Sequence, residues 1–318
     1  MRRSIAGASS SRFSGLAIAA LTSTKPGLIR LKTDDMATIK LFIMAGQSNM
    51  VGRGDLQELP YELKQPNYQV LWYGSDGWRP LSPPTEPLPW SSDDLQLRFG
   101  MEVSLGRSLS ESLYQSVALV KYAVDGTNLG EQWQPRNCAL YCAMRDRVKM
   151  AIADLEDQGY EVEVAGFFWM QGESDALYRP WAIRYDRNLT RLFAQTRRDF
   201  GSDLPMVYGM VSGDPKQIPY LQTVRTAMQE FDQRNHRAIA VETEDYTRPD
   251  SIHWDTASTL KAGEEFASAW LKLGEPQTPL PFTLQPQFVM GLIAFILLLM
   301  GAAIFSWSAR KSHRKAKT

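Results

Sequence analysis

The chain has 318 residues, 44% hydrophobic and 22% charged, a balance that excludes a disordered or fibrous protein and allows a full core. Lys plus Arg and Asp plus Glu are each 35, so the formal net charge is zero. The balance points to a neutral or small substrate and away from a polyanionic partner such as nucleic acid.

Residues 1–35 read as an N-terminal extension. Arg2 and Arg3 precede a modest apolar stretch at 16–21, with no acid before Asp34, as in a weak signal peptide. A true start at Met36, just before the first strand, fits the same residues. Residues 36–273 then alternate short apolar runs with longer helical patterns. The runs 39–45, 117–124, 164–170, 205–211 and 238–242 are apolar almost throughout, as strands buried on both faces are. The segments 102–113, 139–155, 181–199, 218–231 and 256–271 have helical spacing. This alternation predicts βαβ units and one α/β domain built on a parallel sheet with helices on both faces. Ligands bind such sheets at the carboxyl ends of the strands. Residues 61–94, rich in Pro, Trp and Ser, read as a long surface excursion.

The first strand ends in Gly46-Gln47-Ser48-Asn49-Met50. Ser48 stands where the strand gives way to a loop or helix, a position that exposes a nucleophilic hydroxyl; a helix N-cap fits it as well. Gly126, in Asp125-Gly126-Thr127-Asn128-Leu129, offers an N–H to an oxyanion or simply makes a βα turn. Cys138 and Cys142 are too few for a disulfide scaffold or a four-ligand zinc site, and read as core or surface thiols. The run Gln171-Gly172-Glu173-Ser174-Asp175 follows a strand directly, with more polar groups than a turn needs. Gln171 is a candidate oxyanion donor, and Glu173 a candidate to orient a base or bind a hydroxyl. Of the three histidines, His313 lies in a basic tail and His236 among polar residues, which leaves His253. Asp250, three residues upstream, has the reach to curl back onto its ring.

Beyond the domain, residues 274–287 form a Pro-rich linker with no Lys or Arg. Residues 288–307 are an uncharged apolar run, which as a helix spans about 30 Å, the thickness of a bilayer core. Residues 308–318 are a basic tail. The expectation is one C-terminal transmembrane helix with the tail in the cytoplasm and the catalytic domain extracytoplasmic.

Taken together, the motifs around Ser48, Gly126-Thr127, Trp169-Met170-Gln171-Gly172-Glu173-Ser174-Asp175 and Asp250-Ser251-Ile252-His253 resemble the sialate O-acetylesterase-like branch of the SGNH hydrolases, over about residues 39–271. The resemblance implies a three-layer α/β/α sandwich with a central parallel sheet, flavodoxin-like in kind. It also implies removal of O-acetyl groups from sugars, sialic acid or polysaccharide, without metal or organic cofactor. Position by position, Ser48 matches the nucleophile, His253 its base and Asp250 the acid partner. The N–H groups of Ser48 and Gly126, with the Gln171 amide, match the oxyanion hole. Gln47, Asn49, Thr127 and Glu173 are expected to bind substrate or assist the acid. Asp125 departs from the small residue expected before the Gly-Thr pair, which leaves the charge beside the hole open. An inactive carbohydrate-binding protein and an esterase for non-carbohydrate esters are the alternative readings.

Overall fold

The computed structural model describes residues 37–85 and 97–274. The N-terminal extension, the linker beyond Gly274, the apolar run 288–307 and the basic tail lie outside the described residues. Among the described residues no helix is long and apolar enough to cross a membrane.

In chain order the elements are β1 (Thr38–Gly46), α1 (Ser48–Val51), β2 (Gly54–Asp55), α2 (Tyr61–Lys64), β3 (Asn67–Gly74), β4 (Gly77–Leu81), β5 (Arg98–Phe99), α3 (Glu102–Leu113) and β6 (Val117–Ala123). They continue with α4 (Leu140–Asp157), β7 (Glu161–Met170), α5 (Arg179–Ala182), α6 (Tyr185–Phe200), β8 (Met206–Gly209), α7 (Leu221–Asp232), β9 (Ala238–Val241) and α8 (Thr256–Gly274). Seven strands form one sheet in the order β4-β3-β6-β1-β7-β8-β9. All are parallel to their neighbours except the edge strand β4, which pairs antiparallel with β3. The expected parallel sheet is therefore mostly parallel. The strands β2 and β5 make a separate antiparallel pair.

The near-continuous apolarity of β1 has a simple cause: both its faces are buried. Ile39, Leu41, Ile43 and Ala45 enter one core, which holds Val148 of α4, Phe193 of α6 and Phe231 of α7. Phe42 and Met44 enter the other, which holds Leu105 of α3 and Phe266 of α8. These three layers are the expected sandwich. At Gly166 any Cβ would press on the Trp270 indole, which lies over this point of the sheet and donates to the Ala165 carbonyl at 2.8 Å.

Three details differ from expectation. The excursion 61–94 contains β3 and β4. In β3, Val70 and Trp72 are buried, but Leu71 and Tyr73 are only half-buried. This mixed burial beside the edge strand β4, with the Pro and Trp content, hid the strand pattern. The helix expected over 181–199 splits into α5 and α6, and the break turns Tyr185 inward so that its hydroxyl donates to the Gln171 carbonyl at 2.7 Å. The two cysteines are not free thiols: Cys138 and Cys142 form a disulfide. A left-handed φ of 52° at Cys138, outside α4, brings the Cα atoms to 4.9 Å, well within the range that a disulfide spans.

Phe42 is fully buried, with its ring centroid 5.8 Å from that of Phe168 and 4.9 Å from that of Trp270. Phe42→Ala is expected to lower the unfolding free energy by about 3–5 kcal/mol in chemical denaturation. Tyr68→Ala, at an exposed position in β3, should change it by no more than about 0.5 kcal/mol.

Candidate active site

Strands β1, β6 and β7 end side by side, with Gly46 opposite both Ala123 and Met170. The Gln47 N–H donates to the Met170 carbonyl at 2.9 Å, and the Val124 N–H to the Gly46 carbonyl at 3.0 Å. Gly46 has a φ of +149°, and a Cβ there would run into the Met170 carbonyl, so only glycine lets the chain leave β1 this close to β7. It turns at once into α1, a single turn whose Met50 and Val51 amides both return to the Gln47 carbonyl. Ser48 begins that turn and is nearly buried. Beneath it, Lys121 Nζ donates to the Val51 carbonyl and to Glu102 Oε2, each at 2.8 Å. Glu102 Oε1 in turn accepts the Gly100 N–H at 2.7 Å.

Asn49 carries α1 to two other segments. Its Nδ2 donates to Glu173 Oε1 at 2.8 Å and to the Ile252 carbonyl at 3.2 Å, and its Oδ1 accepts the Trp254 N–H at 3.3 Å. The residues on either side of His253 are thus held against the helix that bears Ser48. Within the His253 loop, Asp250 Oδ1 accepts the Ile252 and His253 amides at 2.7 and 2.6 Å, and Oδ2 faces His253 Nδ1 at 2.7 Å. Partial burial raises the Asp250 carboxyl, but those two amides and the imidazole outweigh it and hold it below the ordinary range. Glu173 is in the opposite condition. Burial pushes its carboxyl up, against its own amide, Asn49 and the His253 charge. Its Oε2 is buried without a partner.

The loops after β6 and β7 are tied by Asp175, to which the sequence reading gave no role. Its carboxylate accepts the Leu129 and Gly130 amides at 2.7 and 2.8 Å and Gln171 Nε2 at 2.7 Å. The readable signal was an acid two residues beyond Glu173 in a run that follows an apolar strand. Gln171 Nε2 also lies 3.1 Å from Gln47 Oε1 and 3.0 Å from the Thr127 carbonyl, so both its protons are committed to the protein. Thr127 is likewise occupied, donating to the Val124 carbonyl at 2.7 Å and accepting the Trp133 indole at 2.9 Å. Gly126 has a φ of +64° and borders open space. Asp125 pairs with Arg53 Nη2 at 2.8 Å, which offsets the charge that the sequence left open. Among the described residues Ser48 Oγ bonds no partner, His253 included; such bonds are often long until substrate closes the site. His236 is exposed in the turn between α7 and β9, at the amino end of that strand and so away from these loops. No group of three or more His, Cys, Asp or Glu among the described residues is arranged to hold a metal.

A three-layer sandwich with polar residues gathered at three strand ends can serve many chemistries, and it is similarity to known proteins that makes this one a carboxylic ester hydrolase. The chain belongs to the family of carbohydrate esterases described as sialic acid-specific acetylesterases, matching its model over residues 38–272. It is 27% identical over 251 residues to a protein of Arabidopsis thaliana described as a probable carbohydrate esterase, an alignment that covers 73% of this chain and 90% of that one. The crystal structure of the Arabidopsis protein superposes with a TM-score of 0.63 at 23% identity, covering 73% of this chain and 98% of that one. The structure of NanS superposes with a TM-score of 0.56 at 16% identity, over 75% and 98% of the two chains. A carbohydrate acetylesterase of Xanthomonas citri gives 0.54 at 15% identity, over 72% and 55%.

Burial raises the Asp175 carboxyl to about 6, although the Gln171, Leu129 and Gly130 donors pull it down. A carboxyl raised in the folded state keeps its proton while the unfolded chain ionises, so it stabilises the fold below pH ~4 and that stabilisation is lost as pH rises to about 6. Unfolding free energy measured against pH should therefore contain a fall of about 2–3 kcal/mol over that window. The fall should be missing in Asp175→Asn.

Proposed function

We propose that the chain removes O-acetyl groups from carbohydrate through a Ser48 nucleophile, a His253 base and an Asp250 partner. The observation that carries this reading is the Asp250 carboxylate. One oxygen binds the loop amides and the other faces His253 Nδ1, which fixes the ring and leaves Nε2 to accept a proton. Asn49 supports it by holding that loop against the helix of Ser48. Family membership supports the acetyl ester and the sugar.

In the proposed reaction Ser48 Oγ attacks the acetyl carbonyl carbon while His253 Nε2 takes its proton. The oxyanion receives the Ser48 and Gly126 N–H groups. Gln171 joins them by exchanging one of its present acceptors for the oxyanion. The sugar oxygen leaves with the proton from His253, and water repeats the sequence on the acetyl-enzyme. Asp250 fits the partner role better than Glu173, because a carboxylate held below its ordinary range stays charged beside an imidazolium.

Ser48→Ala and His253→Ala should each abolish acetate release from an acetylated glycan without loss of folding. Asp250→Asn should lower kcat by about 10³–10⁴-fold and Gln171→Ala by about 10²-fold. Glu173→Gln should cost far less than Asp250→Asn, and the reverse ranking would move the partner role to Glu173.

The reading extends to location: residues 288–307 anchor the protein in a membrane with the esterase domain extracytoplasmic. It is supported by the Lys and Arg residues that follow Trp307 and by their absence from 274–287. The Cys138–Cys142 disulfide, a bond that persists in oxidising compartments, agrees with it. Protease added to intact cells or spheroplasts should digest the domain and spare the tail. Protection until lysis would reverse the orientation.

A further inference from the structure

The zero net charge conceals a one-sided surface. Along α6 and the residue before it, Arg184, Arg187, Arg191 and Arg198 follow one another at steps of three, four and seven residues, which places them on one helix face. The row is about 21 Å long at the α-helical rise per residue. Two hollows flank it. One, of about 440 Å³, is lined by Arg184, Arg187 and Arg191 with Arg136, Trp181 and Asn188. The other, of about 340 Å³, shares Arg136 and Arg191 and adds Arg145, Arg198 and the Cys138–Cys142 disulfide. Among the described residues Glu131 is the one carboxylate lining either hollow, while Asp199 sits beside the second, bonded to Tyr141 and Gln195. Arg145 is paired with Asp146, and Arg198 rests on the neutral Gln195 amide. Arg136, Arg184, Arg187 and Arg191 make no ion pair among the described residues.

The upper end of this row meets the candidate active site. Trp181 packs over Gly130, where a Cβ would overlap its indole, and the Gly130 N–H is bound by Asp175. The stretch from Gly126, beside the proposed oxyanion position, to Gly130 therefore leads directly into the first hollow. We propose that the hollows form one groove that binds an acidic polysaccharide, a chain with carboxylates on successive sugars, and leads its acetylated residues to Ser48. Guanidinium groups bind carboxylates through paired N–H donors, and the half-buried Trp181 offers an apolar face to a sugar ring. A row of single-sign charge at turn spacing matches an anion that repeats along a chain better than a lone carboxylate.

The choice of a sugar polymer rests on the carbohydrate esterase reading; the anion groove itself does not. The test uses full-length Ser48→Ala protein, which cannot turn over substrate, with polygalacturonate as probe and a neutral galactan as control. Binding is measured at about 20 mM and about 300 mM salt, where screening separates ionic from other contacts. Polygalacturonate should bind, weakening with salt, and galactan should not. Adding Arg187→Glu and Arg191→Glu should weaken binding about tenfold or more, since each exposed pair contributes a few-fold. Arg187→Lys with Arg191→Lys should retain most of it, and melting temperatures would verify that both double variants are folded. Equal binding by the Glu variant, or equal binding of the neutral polymer, would overturn the groove. Preference for phosphatidylserine vesicles over polygalacturonate would also overturn it, making the row a lipid-facing surface. Polymer binding with no acetate release by the Ser48 enzyme would sink the catalytic reading and leave the groove standing.

Discussion

One side chain carries the arrangement of the site. Asn49 bonds a carboxylate from the β7 loop, a carbonyl before His253 and an amide after it, so a single carboxamide joins three segments that lie far apart in sequence. It is almost fully buried, where an unmade hydrogen bond is expensive. The three segments therefore settle together or not at all. The path of the chain fits this: Gly46 lies against β7, α1 makes one turn, and Asn49 on that turn reaches Glu173. The His253 loop has no regular structure, and its other ties, Ser251 to Asp214 and Gln217 and Trp254 against Tyr246, fasten it to the domain but not to α1.

The acids of the site divide by environment. Asp250, half open to solvent and bound by two amides, sits below its ordinary range, whereas Glu173 and Asp175 are pushed up by burial. The three carboxyls in adjoining loops thus differ in how readily they ionise, Asp250 the most readily. Asp175 spends its oxygens on amides that define the loops, and Glu173 spends one on Asn49. Only Asp250 meets the imidazole directly. Beside them, Arg53 offsets Asp125, so the rim next to Gly126 is not left with an uncompensated negative charge.

Much of this was legible in the sequence, and what was not has identifiable physical causes. The strands β1, β6 and β7 were readable because burial on both faces leaves no polar positions to blur them. The strands β3 and β4 were not, because β4 is an edge and β3 beside it mixes buried Val70 and Trp72 with half-open neighbours. The pairing of Asp250 with His253 was readable because it is local in sequence. The bonds of Asn49 span 124, 203 and 205 residues, and no spacing rule reaches that far. The same holds for Gln171, whose donors were expected to be free and are committed to groups on two other loops. Cys138 and Cys142 were read as thiols because two cysteines make no scaffold, and the left-handed turn at Cys138 that brings the pair together has no composition signal. The row of arginines along α6 was not legible in the net charge, since a sum carries no information about where the arginines lie.

The support beneath the nucleophile turn has a consequence for how this protein changes over generations. Lys121 and Glu102 are both buried, and the pair holds the Val51 carbonyl at the end of α1. Replacing both by apolar residues leaves the Val51 carbonyl and the Gly100 N–H without their partners, and losing either alone strands a charge in the core, at about 3–5 kcal/mol. The intermediate and the end point of the two-step path are therefore both costly. A lineage leaves the pair only with spare stability in hand, so the two positions behave as one inherited unit, locked together by the cost of change and not by any role in chemistry.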